Sequence, residues 1–287
     1  MNYVRLKSYA KINLTLDVLG KEGGYHLIDS VVATVDLCDV IAIKRRKDKL
    51  INIDMHGFGS ENIPFEKNNA VIAAERFSDK FSTDGADITV WKNIPVGAGL
   101  GGSSADVAGV LRGLSKLYGV DDFAAVKDIA DGIGSDCGYM LTGGFARLGG
   151  RGEKVEKLGG GLKLDIGILL PKSGVSTASC YALCDKLKGN EFTSAAAQEA
   201  IEAGDKFALG KSLSNGLFPA ARSLNPEISE AYGQLAAFAP LGVNMSGSGS
   251  AVYAIFENDQ FLSYAKSRYD GRFNFIQTKT IVGEYNG

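Results

Sequence analysis

The chain has 287 residues, 45% hydrophobic and 22% charged, the balance of a soluble globular protein with length for two domains. With 31 Lys and Arg against 33 Asp and Glu, its formal charge of −2 gives no electrostatic basis for binding nucleic acid. No apolar run nears the ~20 residues that cross a bilayer, which argues against a membrane partner.

Two histidines (His26, His56) and four cysteines (Cys38, Cys137, Cys180, Cys184) show neither C-x-x-C pairs nor metal-ligand spacing, so no metal held by protein side chains alone is expected. Residues 1–7 lack the apolar core of a signal peptide. Together these features point to a cytoplasmic protein with reduced thiols.

Residues 2–19 read as two strands. From Lys11 to Val18 the types alternate, with Ile12, Leu14, Leu16 and Val18 on one face and Lys11, Asn13, Thr15 and Asp17 on the other. By pattern alone the polar face is solvated, because lysine is rarely buried. The alternative directs Lys11 and Asn13 into a cleft. Residues 20–26 read as a loop, in which Tyr25 either packs over the chain or forms, with His26, an aromatic wall with polar handles. Strands follow around 30–35, 40–44 and 50–55. A helix over 69–80 places Ala70, Ala73, Ala74 and Phe77 on one face.

A short strand through Ile88 and Val90 then ends at Pro95. After Val96 come Gly97, Ala98, Gly99, Leu100, Gly101, Gly102, Ser103 and Ser104, and a helix opens with Val107, Val110, Leu111, Leu114 and Tyr118 on its apolar face. A strand, a glycine turn and a helix in that order make an anion site. The first helical N–H groups lack internal partners, the dipole adds positive charge, and glycine lets a ligand approach the backbone. Phosphate is the usual occupant, while a plain connector is the competing reading. Ser103 and Ser104 can donate hydroxyls, cap the helix or hold a phosphate-bound metal.

Gly97, Gly99 and Gly102 also spell G-x-G-x-x-G, but a dinucleotide fold does not follow. Residues 93–96 separate the glycines from the strand, and the acids ~20 residues on, Asp121 and Asp122, open another helix. No lysine follows the glycines, which excludes a Walker A loop.

A helix over 122–131 leads to a small-residue stretch in which Asp136 is either a turn or cap acid or a carboxylate in a cleft. Residues 143–153 read as a strand between glycine turns. The linker-like 156–161 divides the chain into domains 1–158 and 159–287. Beyond it come a strand at 163–170, helices at 176–185, 193–203 and 226–238, strands at 242–245 and 251–256, a helix at 259–269 and a strand at 273–280. The mixture indicates an α+β fold. The turn Met-Ser-Gly-Ser-Gly-Ser at 245–250 is either a hairpin turn or a loop that supports the first glycine turn from the other domain.

Residues 95–108 resemble the phosphate loop of the GHMP kinases (galactokinase, homoserine kinase, mevalonate kinase and relatives), and residues 245–253 resemble their C-terminal glycine motif. Ala10-Lys11-Ile12-Asn13-Leu14, Gly24-Tyr25-His26, and Gly134-Ser135-Asp136 followed by Gly143-Gly144 resemble the branch that phosphorylates a cytidine diphosphate sugar alcohol in non-mevalonate isoprenoid biosynthesis.

The resemblance implies a two-domain GHMP kinase fold, with an N-terminal domain like domain 2 of ribosomal protein S5 and a ferredoxin-like C-terminal domain. It implies ATP, with Mg2+, over Pro95, Gly97, Ala98, Gly99, Leu100, Gly101, Gly102, Ser103 and Ser104, and a small-molecule alcohol in the cleft. Lys11 and Asp136 match the catalytic pair, Asn13 and His26 substrate contacts, Tyr25 and Tyr181 the aromatics that stack on cytosine. Asn68 and Asn69 match positions near adenine. A monomer or homodimer is expected. The sequence departs from the branch at Ser103, Ala105, Gly23 and Gly138. Two alternatives therefore stay open: a GHMP-type kinase of homoserine, mevalonate or a sugar, and a catalytically idle nucleotide-binding protein on the same fold.

Overall fold

A computed structural model describes residues 1–57, 59, 63–187 and 192–281. In chain order the elements are β1 (Tyr3–Asn13), β2 (Thr15–Glu22), β3 (Tyr25–Arg45), β4 (Ile51–Gly57), α1 (Asn69–Phe81), β5 (Ala86–Lys92), α2 (Gly102–Tyr118), α3 (Phe123–Asp131), α4 (Cys137–Thr142), β6 (Phe145–Gly149) and β7 (Lys154–Lys157). There follow β8 (Asp165–Leu170), α5 (Thr177–Cys184), α6 (Ser194–Glu202), α7 (Lys206–Ser212), β9 (Ser214–Asn215), α8 (Phe218–Leu224), α9 (Glu227–Ala236), β10 (Gly242–Met245), β11 (Val252–Phe256), α10 (Asp259–Arg268) and β12 (Asn274–Lys279). Among the described residues no helix is long and apolar enough to cross a membrane.

The first sheet is built on β3, whose 21 residues are rich in Val, Ile and Ala. β1 runs antiparallel along it, from Tyr3 opposite Lys44 to Asn13 opposite Val32. The register shifts between Tyr9 and Ala10, so a bulge absorbs Asp36 and Leu37, and the two strands expected at 30–35 and 40–44 are one. β2, β5 and β6 also pair with β3, while β4 lies parallel to β5. The expected loop at 20–26 is a hairpin. Gly23 and Gly24 both take positive φ, the geometry of a tight two-residue turn, and the strands continue to Glu22 and from Tyr25. Helices α1 to α4 bury Phe77, Val107, Leu111, Leu114 and Tyr139 in one cluster with Ile41 and Ile43 of the sheet.

The second sheet has the order β10-β11-β8-β12, antiparallel throughout. With helices between β8 and β10 and between β11 and β12, this is the ferredoxin-like arrangement. The expected boundary at 158/159 falls between β7 and β8. Helices α7 and α8 and the two-residue β9 were not expected, because each is too short to carry a periodic signal.

The main departure from expectation is the polar face of residues 11–17. Lys11, Asn13, Thr15 and Asp17 are all buried, and Leu14 separates two strands. C-terminal residues cover the face. The Thr15 and Ser194 hydroxyls lie 2.7 Å apart, and Asp17 accepts from the N–H groups of Thr193 and Ser194 at the start of α6. Asn244 donates to the Leu14 carbonyl (2.9 Å) and Tyr253 to the Asn13 carbonyl (2.8 Å). Asn215 donates to the carbonyls of Met245 and Gly247, and β9 pairs in parallel with β2. The face is polar because it is a hydrogen-bonded seam.

The two glycine turns meet on this seam. Ser246 Oγ donates to the Gly99 carbonyl (2.8 Å), and Ala251 N donates to the Ala98 carbonyl (3.0 Å). Gly99 has φ +79°, and a Cβ there would stand 2.0 Å from Ser246 O. Gly97, at φ +70°, faces open space. Gly99→Ala should therefore cost on the order of 2–4 kcal/mol, from backbone strain and overpacking together, whereas Gly97→Ala should cost about 1 kcal/mol from strain alone. Urea unfolding of both variants checks this; equal losses would mean that the two turns do not bear on one another.

Candidate active site

The glycine turn ends in a helix start that no side chain caps. The N-cap of α2 is Gly101, at φ +73°. Ser103 and Ser104 lie inside the first turn of α2, so neither serine is the cap. The Ser103 hydroxyl, exposed, accepts from Asn69 Nδ2 (3.0 Å). Asn68 caps α1 through its bond from Ala70 N, and its amide also reaches Met55 Sδ. Pro95, Gly97 and Gly99 to Gly102 line the path between β5 and α2, with the Ala98 and Leu100 side chains buried below as anchors.

Lys11 is joined to this loop twice. Its N–H donates to the Leu100 carbonyl (3.0 Å), and its aliphatic stem passes Gly101, where a Cβ would lie 3.1 Å from Lys11 Cγ. Its ammonium, 5% exposed, donates to Asn13 Oδ1 (2.6 Å) and pairs with Asp136 Oδ2 (3.2 Å). Asp136 is the N-cap residue of α4, yet its carboxylate makes no capping bond and is 30% exposed. Asp136 thus holds the cap position without its carboxylate doing the capping, and that carboxylate is turned to Lys11. Asn13 Oδ1 also accepts from Gly247 N (3.0 Å), while Nδ2 donates to Ser30 Oγ (2.8 Å). Beside Asp136, burial pushes the Cys137 thiol up to about 11 despite a hydrogen bond with Ser104, so it stays neutral.

A second group of predicted residues stands on the β2–β3 hairpin. His26 stacks on Tyr181, with ring centroids 4.4 Å apart and planes at 28°. His26 Nε2 lies 2.7 Å from Asp185 Oδ1, and Lys21 pairs with the other oxygen. These two hydrogen bonds hold the Asp185 carboxyl below the usual carboxylate range. Tyr25 is exposed and carries the Arg151 guanidinium over its ring at 4.7 Å. The structure thus joins His26 to Tyr181 and places Tyr25 against Arg151.

Residues 68–145 match the GHMP kinases N terminal domain, and residues 196–270 match the GHMP kinases C terminal domain. The chain belongs to the GHMP kinase family. Among curated relatives of this GHMP kinase, one from Caldicellulosiruptor saccharolyticus is 41% identical over 88% of each chain. Another, from Caldanaerobacter subterraneus subsp. tengcongensis, is 34% identical over 97% of each. Both are named 4-diphosphocytidyl-2-C-methyl-D-erythritol kinase. A crystal structure of 4-(cytidine 5'-diphospho)-2C-methyl-D-erythritol kinase superposes with a TM-score of 0.80 at 28% identity, covering 98% of this chain and all of the other. Homoserine kinase from Cytophaga hutchinsonii shares the fold, with a TM-score of 0.70 at 20% identity over 97% of this chain and 95% of its own.

Sequence reasoning missed several residues that shape the site of this GHMP kinase. Asp185 and Arg151 have no local signal. Nor has the buried triad under the phosphate loop, where the Lys92 ammonium pairs with Asp39 and with Asp106 Oδ2 (2.6 Å). Asp39 Oδ1 also accepts from the N–H groups of Asn93 and Ile94, at 2.6 and 2.8 Å, which fixes the exit from β5. Burial holds the Asp106 carboxyl well above the usual range, against the pull of Lys92. Lys92→Met would leave two carboxylates facing one another in the interior. It should lower unfolding free energy by about 3–5 kcal/mol, as measured by urea denaturation, with Lys92→Arg losing less.

Proposed function

We propose that the chain transfers the γ-phosphoryl group of ATP to a hydroxyl of 4-diphosphocytidyl-2-C-methyl-D-erythritol, a step of non-mevalonate isoprenoid biosynthesis. The observation that carries the reading is the Lys11–Asp136 pair beside the open start of α2, in a chain similar along its length to kinases of that name. Residues 1–158 and 159–287 are read as its two domains, with the acceptor in the cleft between them.

Phosphoryl transfer needs charge neutralised, reacting atoms aligned and the attacking hydroxyl oriented. The amides of residues 97–104 would cradle the polyphosphate, and the donors fit, since no side chain caps the helix start. Among the described residues no group of three or more His, Cys, Asp or Glu side chains is placed to hold a metal. The Ser103 and Ser104 hydroxyls, with phosphate oxygens, fit Mg2+, a cation that takes few protein ligands beside a nucleotide. When bound, Mg2+ supplies neutralisation of the phosphate charge.

Asp136 orients the acceptor hydroxyl and takes its proton as general base. Lys11 holds the Asp136 carboxylate in place through their ion pair and offsets charge that develops on the transferred group. Asn13 spends one amide N–H on Ser30 and keeps the second for the acceptor. Tyr25, His26 and Tyr181 receive the cytosine, each stacking contact contributing roughly 1–3 kcal/mol. That gives selectivity for a nucleotide-bearing alcohol without a basic groove.

The test is ATP consumption with four acceptors: 4-diphosphocytidyl-2-C-methyl-D-erythritol, homoserine, mevalonate and galactose. Turnover is expected with the first alone, and turnover with another in its place overturns the substrate assignment. Asp136→Asn should lower kcat by roughly 10²–10⁴-fold while the KM for ATP stays within about threefold. A wild-type rate in that variant removes Asp136 from the role of base.

A further inference from the structure

The acceptor named above, on which this inference rests, carries a diphosphate between its nucleoside and its alcohol. With cytosine at the hairpin aromatics and the alcohol at Asp136, that diphosphate must cross the space between the two groups. A diphosphate needs a cation and hydrogen-bond donors. The cations on either side are already engaged. Lys11 is buried against Asp136 and Asn13, Lys21 pairs with Asp185, and Arg147 forms two bonds to Asp29.

Arg151 is placed differently. It is exposed, its guanidinium carbon stands 4.7 Å from the Tyr25 ring centre, and it has no ion pair among the described residues. The turn that carries it, between β6 and β7, is fixed. Ile28 N donates to the Gly150 carbonyl (2.8 Å), Gly152 N to the Gly149 carbonyl (3.0 Å), and Arg151 N to Glu153 Oε2 (2.7 Å). Glu153 thus serves the backbone of the turn and, against its burial, is held below its usual range by the N–H groups of Glu153 itself and Arg151.

One residue on, Gly152 lies against the catalytic acid. A Cβ there would stand 3.3 Å from Ser135 Cβ and 3.8 Å from Asp136 Oδ1. Two consecutive residues therefore connect the Tyr25 ring to Asp136, along the line that the diphosphate takes.

We propose that Arg151 binds the diphosphate of the acceptor, stacked on Tyr25 and donating N–H groups to phosphate oxygens. Arginine suits both tasks at once, because its planar guanidinium stacks on an aromatic face and presents a fork of donors matched to phosphate. The residue determines specificity: it favours an alcohol carried on a nucleoside diphosphate over a bare one.

The experiment measures inhibition of the full-length kinase by cytidine, CMP and CDP at saturating ATP, for wild type, Arg151→Ala and Arg151→Lys. Arg151→Ala is expected to weaken CDP by about 10–100-fold while cytidine stays within about threefold, with CMP between them. Arg151→Lys should recover part of the CDP loss, because it keeps the charge but not the fork. The acceptor KM should rise with the CDP constant and the ATP KM should not. An equal loss for cytidine and CDP overturns the proposal, since Arg151 would then only support Tyr25; so does an unchanged CDP constant. If none of the three compounds inhibits wild type, the cytidine-bearing acceptor itself is wrong and the proposal falls with it, an outcome visible before any variant is made.

Discussion

An ammonium group taken out of water must be met by charge and hydrogen-bond acceptors, and much of this molecule is arranged around meeting that demand at Lys11. Asp136 supplies the countercharge from the start of α4, and Asn13 supplies an acceptor two residues along the same face of the chain. Asn13 is in turn held by Gly247 and Ser30, and Lys11's own N–H is spent on Leu100. One buried charge therefore ties together the phosphate loop, both sheets and the candidate base. At the site proposed for transfer, the protein presents a positive centre already positioned. Pre-set electrostatics of this kind favour a transition state, because no reorganisation is needed at the moment of transfer.

The phosphate loop shows the same economy. Glycine is required at Gly99 because Ser246 O comes too close for a Cβ, and at Gly101 because the Lys11 stem and Met140 fill the space. A loop clasped from both sides is held in one shape. Below it, Lys92 with Asp39 and Asp106 holds the strand exit and the first turns of α2 in one ionic knot. The loop is thus fixed by neighbours far away in sequence, and its glycines record that closeness as well as room for a ligand.

The order strand, turn, helix could be read from the sequence because periodicity and glycine spacing are local signals. The helix at 69–80 was readable for the same reason, and its Ala70, Ala73, Ala74 and Phe77 are buried together. Alternation in residues 11–18 was real but misleading. It separates apolar from polar residues, and it cannot tell water from a polar partner domain. The carboxylates of Asp39, Asp106 and Asp185 look like ordinary solvated acids until the fold brings Lys92, Lys21 and His26 to them. Lys11 and Asp136 were found through a family resemblance, because 125 positions separate them and no pattern along the chain links the two. Residues 245–250 show the converse. Their small side chains hinted at close approach, and the hydrogen bond from Ser246 to Gly99 is that approach.

The seam between the halves also bears on how the enzyme moves. Asn244 and Tyr253 grip the backbone at residues 13 and 14, β9 extends the first sheet from the C-terminal side, and Val35 bridges to Thr280. Swinging the halves apart would break all of these together and expose apolar surface around Ile12, Leu14 and Leu100, so opening a hinge across this line is costly. The hairpin turn at 149–152 is tied into the same body by the bond from Ile28 N to the Gly150 carbonyl. A frame joined in this way presents Lys11 and Asp136 in one arrangement, with nothing left to assemble when ligands arrive.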